Sequence, residues 1–459
     1  MIKMRKVRSI GLDIGTTTLC AVVLDGENGE MVDTLTIPNN SSLESEQPWA
    51  RLQDPRVIVA NIKQIVAELE MKHAPISCIG LTGQMHGIVY LDDIGNPVSP
   101  FYTWQDGRGN LEYRDGLSYA EYLSQVSGTK LATGFGAVTH FYNLVNGLVP
   151  ASARVISTIY DYAGLQLACV TRPVLHPSSA ASLGFFNIET NCFDRNALQA
   201  AHINETFFPE TTPKIEIIGK TESNIPVAVA IGDNQASFIG SVNHSTEYLL
   251  VNIGTSGQIS LFINDYIKNS PIEIRPFSSD GFLMVGASLC GGRAYALLEN
   301  FFRSVVQMAT GATCPPLYEI MNELASHYPT LEHKLEISTQ FCGTRENPWQ
   351  QAAINNLGVD NFSPAHFIVG TLEGIARELY DLYEIMSTQG SVKPTKLVCS
   401  GNALRLNLPL QRLVSDIFGM PISIPRYKEE AACGAALFAL VAAGHQKSLA
   451  AAQALLQYE

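Results

Sequence analysis

The stretches GLDIGTTTLCAVVLD (Gly11–Asp25) and VNIGTSGQISLFIND (Val251–Asp265) read as two copies of one device. Each is an apolar run, a Gly-Thr turn and a second apolar run, the pattern of a strand hairpin. The two turns stand roughly half the chain apart, as an internal duplication requires. A Gly-Thr turn lets backbone N–H groups and a hydroxyl approach an anion closely, because glycine has no Cβ to hold a phosphate away. A single such hairpin is most often an ordinary β-turn in a sheet. The pair points to two related lobes closing on one phosphorylated ligand, a nucleotide clamp. The copies are not equivalent, since only the first carries an acid, Asp13, just before its glycine.

The chain has 459 residues, 46% of them hydrophobic and 16% charged, so a large globular core is available and long disorder is excluded. The duplication favours two large domains, divided here at 1–240 and 241–459, over three of average size. A formal charge of −13 repels a phosphate backbone, which excludes nucleic acid as a partner and leaves local turns, helix ends and a metal to hold a small anion. Nine cysteines are scattered from Cys20 to Cys433 with no CxxC pair, the usage of a reduced protein with neither a disulfide framework nor a zinc site. The start, MIKMRKVRSIGLDIG, is interrupted by Asp13 and glycines where a signal peptide needs an apolar core. No apolar run reaches the roughly 18 residues of a membrane span, so a cytoplasmic enzyme without a membrane partner is expected.

Outward from the hairpins, strands alternate with amphipathic helices in the manner of an α/β protein. SIGLDIG and TLCAVVLD are followed by a helix over Pro55–Met71 and the strand ISCIGLTG. A polar and aromatic region near Tyr102–Arg114, a helix over Tyr119–Val126 and a loop, ATGFGAVTH, come next. A loop-rich stretch, Pro209–Pro226, precedes the strand PVAVAIG, which ends in GDNQAS. Farther on, KLVCSGN is a buried strand meeting a turn, and Leu410, Leu413, Val414, Ile417 and Phe418 form the core stripe of a helix that Gly419 stops. Gly401 and Asn402 thus lie between strand and helix, where nucleotides meet α/β sheets. EEAACGAALFALVAAG reads as a helix whose small residues permit close packing.

These segments, with LTGQMHGIVY, YTWQDGR, AIGDNQAS and SGNALRLN, stand in an order that resembles the FGGY family of carbohydrate kinases across nearly the whole chain. The resemblance implies two actin-like, ribonuclease-H-like ATPase domains with a cleft between them, sugar on the first and MgATP mainly on the second. It implies transfer of the γ-phosphoryl group to a primary hydroxyl of a ketose. The pairing of TWQDGR with TGFG points within the family to sedoheptulose, with xylulose the leading alternative. A homodimer is the family-based expectation for assembly.

Residue by residue, the resemblance places Asp233 as the base that takes the sugar hydroxyl's proton, a task that needs a carboxylate within hydrogen-bond reach. Asp13 would hold Mg²⁺ through water, with Asp233 as the second carboxylate at the metal. Thr16, Thr17 and Thr18 would face the phosphates from one lobe, Gly254 and Thr255 from the other, and Gly401, Asn402 and Asn407 would lie on the adenine side. Gln84, Met85 and His86 would form a polar wall for the sugar, Trp104 a stacking face and Asp106 a hydroxyl acceptor supported by Arg108. Three departures stand out. Ser400-Gly401-Asn402 replaces the family's glycine triplet; Ser178 and Ser179 occupy positions where relatives have Asp or Asn, so a sugar contact is expected to be lost or replaced by water. His140 stands near a family lysine. An actin-fold ATPase serving as chaperone or sensor would share the paired hairpins but has no use for TGQMHG, WQDGR and a carboxylate after PVAVAIG. A silent sugar-binding relative would not need both Asp13 and Asp233.

Overall fold

A computed structural model describes residues 6–243, 246–278, 281–344, 347, 349–389 and 393–459. The chain opens with a meander of β1 (Arg8–Ile14), β2 (Thr18–Asp25) and β3 (Met31–Pro38). Ile10, Leu12 and Ile14 of β1 and Leu19 to Leu24 of β2 are buried almost without alternation, because both faces of these strands are covered. The β1–β2 register sets Asp13 opposite Cys20 and Ile14 opposite Leu19, which leaves Gly15–Thr17 as the turn.

Helix α1 (Pro55–His73) starts where Asp54 accepts from the Arg56 N–H and Pro55 fills the first helical position. It buries Ile58, Ile62, Ile65 and Leu69, one face of a 3.6-residue period. The strand β4 (Cys78–Gly83) then runs parallel to β1. The helices that follow include Tyr119–Ser127, where the sequence places one, and α2 (Gly136–Val145), α3 (Ile159–Leu167) and α4 (Pro177–Leu183). The expected loop ATGFGAVTH is therefore only half a loop, since Gly136–His140 begin α2. Strand β5 (Pro226–Ala228) pairs parallel with β4, and α5 (Asp233–Ser241) leaves from its end.

The second half repeats the plan with β6 (Tyr248–Ile253), β7 (Gly257–Ile263), β8 (Gly281–Ser288), α6 (Gly292–Thr310), α7 (Pro364–Gln389), β9 (Lys396–Ser400), α8 (Leu408–Phe418) and β10 (Ile422–Ser423). Its strand order β8-β7-β6-β9-β10 matches β3-β2-β1-β4-β5 of the first half, each with an antiparallel meander followed by two parallel strands. The duplication visible at two turns thus extends over five strands of each six-stranded sheet, as in actin-like domains. In α8, Leu410, Leu413, Val414 and Phe418 are buried and Gly419 closes the helix at φ 65°, as its stripe predicts.

The last long helix, α9 (Glu430–Ala442), returns to the first sheet. The two compact units are Met1–His244 with Arg275–Gly281 and Glu429–Leu456, and Ser245–Ile274 with Phe282–Lys428 and Gln457–Glu459. A division at 240/241 therefore leaves out of the first unit a helix that packs within it. The reason lies in glycine: a Cβ on Gly240 of α5 would sit 1.9 Å from the Glu430 carbonyl oxygen, and one on Gly434 of α9 would sit 1.8 Å from the Ala236 carbonyl oxygen. Only bare backbones allow α5 and α9 to cross this closely. Among the described residues no helix is long and apolar enough to cross a membrane.

Candidate active site

The first Gly-Thr turn is built so that its carbonyls face the protein. Ile14 O accepts from Gln84 N, Thr17 O from Asn39 N and Thr18 O from Gly15 N. Gly15 O and Thr16 O accept from the side chains of Asn39 and Gln53, at 2.8 and 2.9 Å. With the carbonyls occupied, the other side of the turn presents amide and hydroxyl groups, the arrangement an anion needs. Thr17 and Thr18 are exposed there, whereas the Thr16 hydroxyl is committed. It donates to Gln84 Oε1 at 3.1 Å and accepts from Trp104 Nε1 at 3.0 Å. Gln84 Nε2 in turn donates to Gln53 Oε1 at 2.8 Å, closing a ring of Thr16, Gln84 and Gln53. Gln53, buried on a two-residue strand, is a member of the site that its sequence context does not single out.

Asp13 ends β1 beside this turn, and Asp233 opens α5 with Gly232 as a cap that has no side chain. Both are partly accessible. Desolvation pushes the Asp13 carboxyl up to about 7, with the negative charges of Asp233 and Glu429 adding to the rise. Desolvation also raises Asp233, to about 6, against the opposing pull of the Arg275 guanidinium and the Asn234 N–H. Glu429, the residue before α9, also accepts from Cys20 Sγ at 3.4 Å. Neither Glu429 nor Arg275 is legible in the sequence, since each reaches the site from far along the chain.

Among the described residues no group of three or more His, Cys, Asp or Glu side chains closes around a metal. Mutually repelling carboxylates that a cation would relieve nevertheless fit a hard ion that keeps most of its water, as Mg²⁺ does.

Among the residues expected to face the sugar, Met85 packs against Gly232, next to Asp233. His86 holds φ 72°, an unusual conformation for a residue with a Cβ. Its Nδ1 meets Ser182 O at 2.8 Å, and its ring lies 4.4 Å from that of Phe135, centroid to centroid. A carbonyl partner makes Nδ1 a protonated nitrogen. Trp104 is 46% exposed, with its indole N–H anchored on Thr16, so a ring face is open to solvent.

Asp106 is placed otherwise than a sugar ligand. It is fully buried, and Arg108 holds it bidentately, Nε to Oδ1 at 2.7 Å and Nη2 to Oδ2 at 3.2 Å. Oδ1 also accepts from Arg108 N and Oδ2 from Arg51 N, so the acceptor capacity expected for a hydroxyl is filled by the protein. Arg108 continues inward through Asn143 to the Tyr90 hydroxyl, which meets His140 Nδ1 at 2.8 Å. His140 is buried and held neutral, its pKa pushed down to about 4 by desolvation. It ends a polar chain in the core.

The two motifs that point to the sugar interlock. Thr133 Oγ1 donates to Asp106 O at 2.9 Å, and a Cβ on Gly134, at φ 85°, would lie 2.0 Å from Trp104 O. Ser178 and Ser179 are both fully buried.

In the second unit the other Gly-Thr turn follows the same logic. Gly254 O and Thr255 O accept from Gly292 N and Arg293 N at the start of α6, at 2.8 and 3.1 Å, and Ser256 O accepts from Gly254 N. Thr255 and Ser256 are exposed. Asn252, the counterpart of Asp13, donates Nδ2 to Ser400 Oγ at 2.8 Å instead of offering a charge. Gly401, at φ 87°, turns the end of β9 into the four-residue helix Asn402–Arg405, with Asn402 exposed. Asn407 is buried, and its Oδ1 caps α8 by accepting from Leu410 N at 2.9 Å. A cap explains this residue without an adenine contact.

The N-terminal domain model of the FGGY family of carbohydrate kinases matches residues 9–240, and the family's C-terminal domain model matches 249–443. The chain is 26% identical to the sedoheptulokinase of Homo sapiens over 94% of this chain and 97% of that protein. It is 24% identical to the glycerol kinase of Aquifex aeolicus over 96% of this chain and 90% of that protein. Its fold is similar to the solved structure of a xylulose kinase from Rhodospirillum rubrum, with TM-score 0.84, 19% identity, and coverage of 98% of this chain and 93% of that one. Two family models that together span nearly the whole chain make it a member of the FGGY family of carbohydrate kinases.

Proposed function

We propose that this kinase transfers the γ-phosphoryl group of ATP to the primary hydroxyl of sedoheptulose, giving sedoheptulose 7-phosphate and ADP. The observation that carries the reading is Asp233: a partly accessible carboxylate at the head of a buried helix, its pKa raised to about 6. A base near that value is ionised at neutral pH yet basic enough to take a proton as the hydroxyl attacks. The new bond joins the sugar oxygen to the γ-phosphorus, the bond from phosphorus to the ADP oxygen breaks, and the hydroxyl proton passes to Asp233. The turn amides with Thr17 and Thr18, and Gly254 with Thr255, supply donors for phosphate oxygens. Asp13 would hold Mg²⁺, with Asp233 and Glu429 as the neighbouring carboxylates; when bound, the ion would neutralise charge on the phosphate oxygens.

His86 Nε2 accepts from a sugar hydroxyl, Gln84 and Met85 complete that wall, and the open face of Trp104 covers the sugar's C–H side. Asp106 and Arg108 act behind this surface by fixing the loop that carries Trp104. Gly401 and Asn402 are the adenine-side contacts, Asn407 supports them as a helix cap, and Thr16 supports the phosphate turn.

Two features favour sedoheptulose over xylulose: the resemblance carried by TWQDGR with TGFG, and identities of 26% and 27% to proteins named sedoheptulokinase against 23% to one named xylulose kinase. The test is coupled ADP release with sedoheptulose, xylulose, ribulose, fructose and glycerol. The highest kcat/KM is expected for sedoheptulose. Turnover of xylulose alone would reassign the acceptor, and turnover of none would overturn the proposed reaction.

A further inference from the structure

The segment HPSSAAS (residues 176–182) is where a sugar contact is expected to be lost or replaced by water, and its serines are buried. His176 caps α4: its Nδ1 accepts from Ser178 N at 3.3 Å and lies 2.9 Å from Ser178 Oγ. A nitrogen that accepts one N–H is unprotonated, so the Ser178 hydroxyl donates to it and the imidazole proton is on Nε2. The Ser178 oxygen is then left to accept, and it does so from Gly232 N at 3.0 Å. Gly232 is the residue before Asp233 and the cap of α5, with no side chain to fix its own geometry. Every proton in the chain Gly232 N–H, Ser178 O–H, His176 Nδ1 runs in one direction. Burial pushes the His176 pKa down to about 3, so the ring stays neutral and Nδ1 stays an acceptor. His176 Nε2 is buried with no partner among the described residues, so the ring serves through Nδ1.

We infer that Ser178 and His176 are positioning residues for Asp233, holding the Gly232 amide so that the carboxylate at the start of α5 meets the sugar hydroxyl at the angle proton transfer needs. The inference rests on the reading of Asp233 as the base. Neither side chain touches substrate. Their loss acts on the chemical step, where a displacement on the order of 1 Å costs up to about 100-fold, and leaves ground-state binding nearly intact.

The test measures kcat and KM for sugar and MgATP separately, at a temperature well below unfolding, using the ketose that wild type turns over in the panel. Ser178→Ala and His176→Leu are expected to lower kcat at least about tenfold with both KM values within about threefold. His176→Asn is the rescue, because an Asn Oδ1 takes the place of Nδ1 and Asn is a good helix cap; its kcat is expected within about threefold of wild type. A merely structural role would show instead as lowered thermal stability with unchanged kcat per folded molecule, and that result for Ser178→Ala overturns the inference. Should Ser178→Ala not fold, the contrast between His176→Asn and His176→Leu decides, and equal kcat in the two overturns it. Asp233→Asn run alongside separates the readings. An inactive Asp233→Asn with a fully active Ser178→Ala removes the positioning role alone, whereas an active Asp233→Asn removes the base and this inference with it.

Discussion

As the proposed base, Asp233 has to be ionised to accept a proton, and it sits where ionisation is costly. Desolvation raises it from 3.8 to about 6, so the competent form accumulates only as pH rises through about 6. The predicted kcat/KM profile therefore climbs between about pH 5 and 7, and a profile already flat at pH 5 would contradict it. Asp233→Asn keeps the fold and loses roughly 100- to 10,000-fold in kcat, the usual span for a general base.

Asp13 carries a related cost for the fold. Its folded pKa of about 7 lies above the unfolded value of 3.8, so its contribution to stability is present below about 3.8 and is lost as pH rises through about 7. Without metal, Asp13→Asn is accordingly predicted to melt higher than wild type at pH 8, the gap narrowing at pH 5 and closing only below about 3.8. Mg²⁺ is predicted to raise the melting temperature of wild type at pH 8 and to do little for Asp13→Asn. Thermal melts with and without Mg²⁺ at the two pH values check both, and a lower melting point for Asp13→Asn at pH 8 would refute the first.

At the scale of elements, the hairpins, α1, α8 and α9 were legible because a periodic apolar face or a glycine turn announces itself locally. The site was legible only in part. Asp13, Gln84, His86 and Asp233 lie at the ends of strands or helices whose direction the pattern reveals. Asp106 shows how the rest is hidden. The sequence displays its carboxylate, but not that Arg51 N and Arg108 fill it, because those donors are set by loop geometry. Gln53, Ser178 and Glu429 act through contacts tens to hundreds of residues away in the chain, which leave no local trace. The same limit explains α9, whose small residues announce close packing without naming the partner. That partner is α5, which carries Asp233. Gly434→Ala is predicted to destabilise by about 3 kcal/mol, because the new methyl meets the backbone of α5 rather than a movable side chain. Denaturant melts measure it, and a neutral result would mean that the crossing relaxes without cost.

Across the whole molecule, one strand order is used twice for unequal work. The first unit pairs its turn with Asp13, Asp233 and the surface of Gln84, His86 and Trp104, while the second puts neutral Asn252 at the position of Asp13. The repeat is thus a shared scaffold rather than two equivalent ligand sites. An overall charge of −13 makes general attraction of anionic ligands unfavourable, so the proposed recognition falls to the turn amides and to a cation that the carboxylates would hold. The most direct test of this account is the product itself. Phosphorus-31 NMR of a reaction containing enzyme, MgATP and sedoheptulose is predicted to show one sugar phosphomonoester coupled to methylene protons, absent when Asp233→Asn replaces wild type. A phosphate on a secondary hydroxyl, or the same product from Asp233→Asn at the wild-type rate, would contradict it.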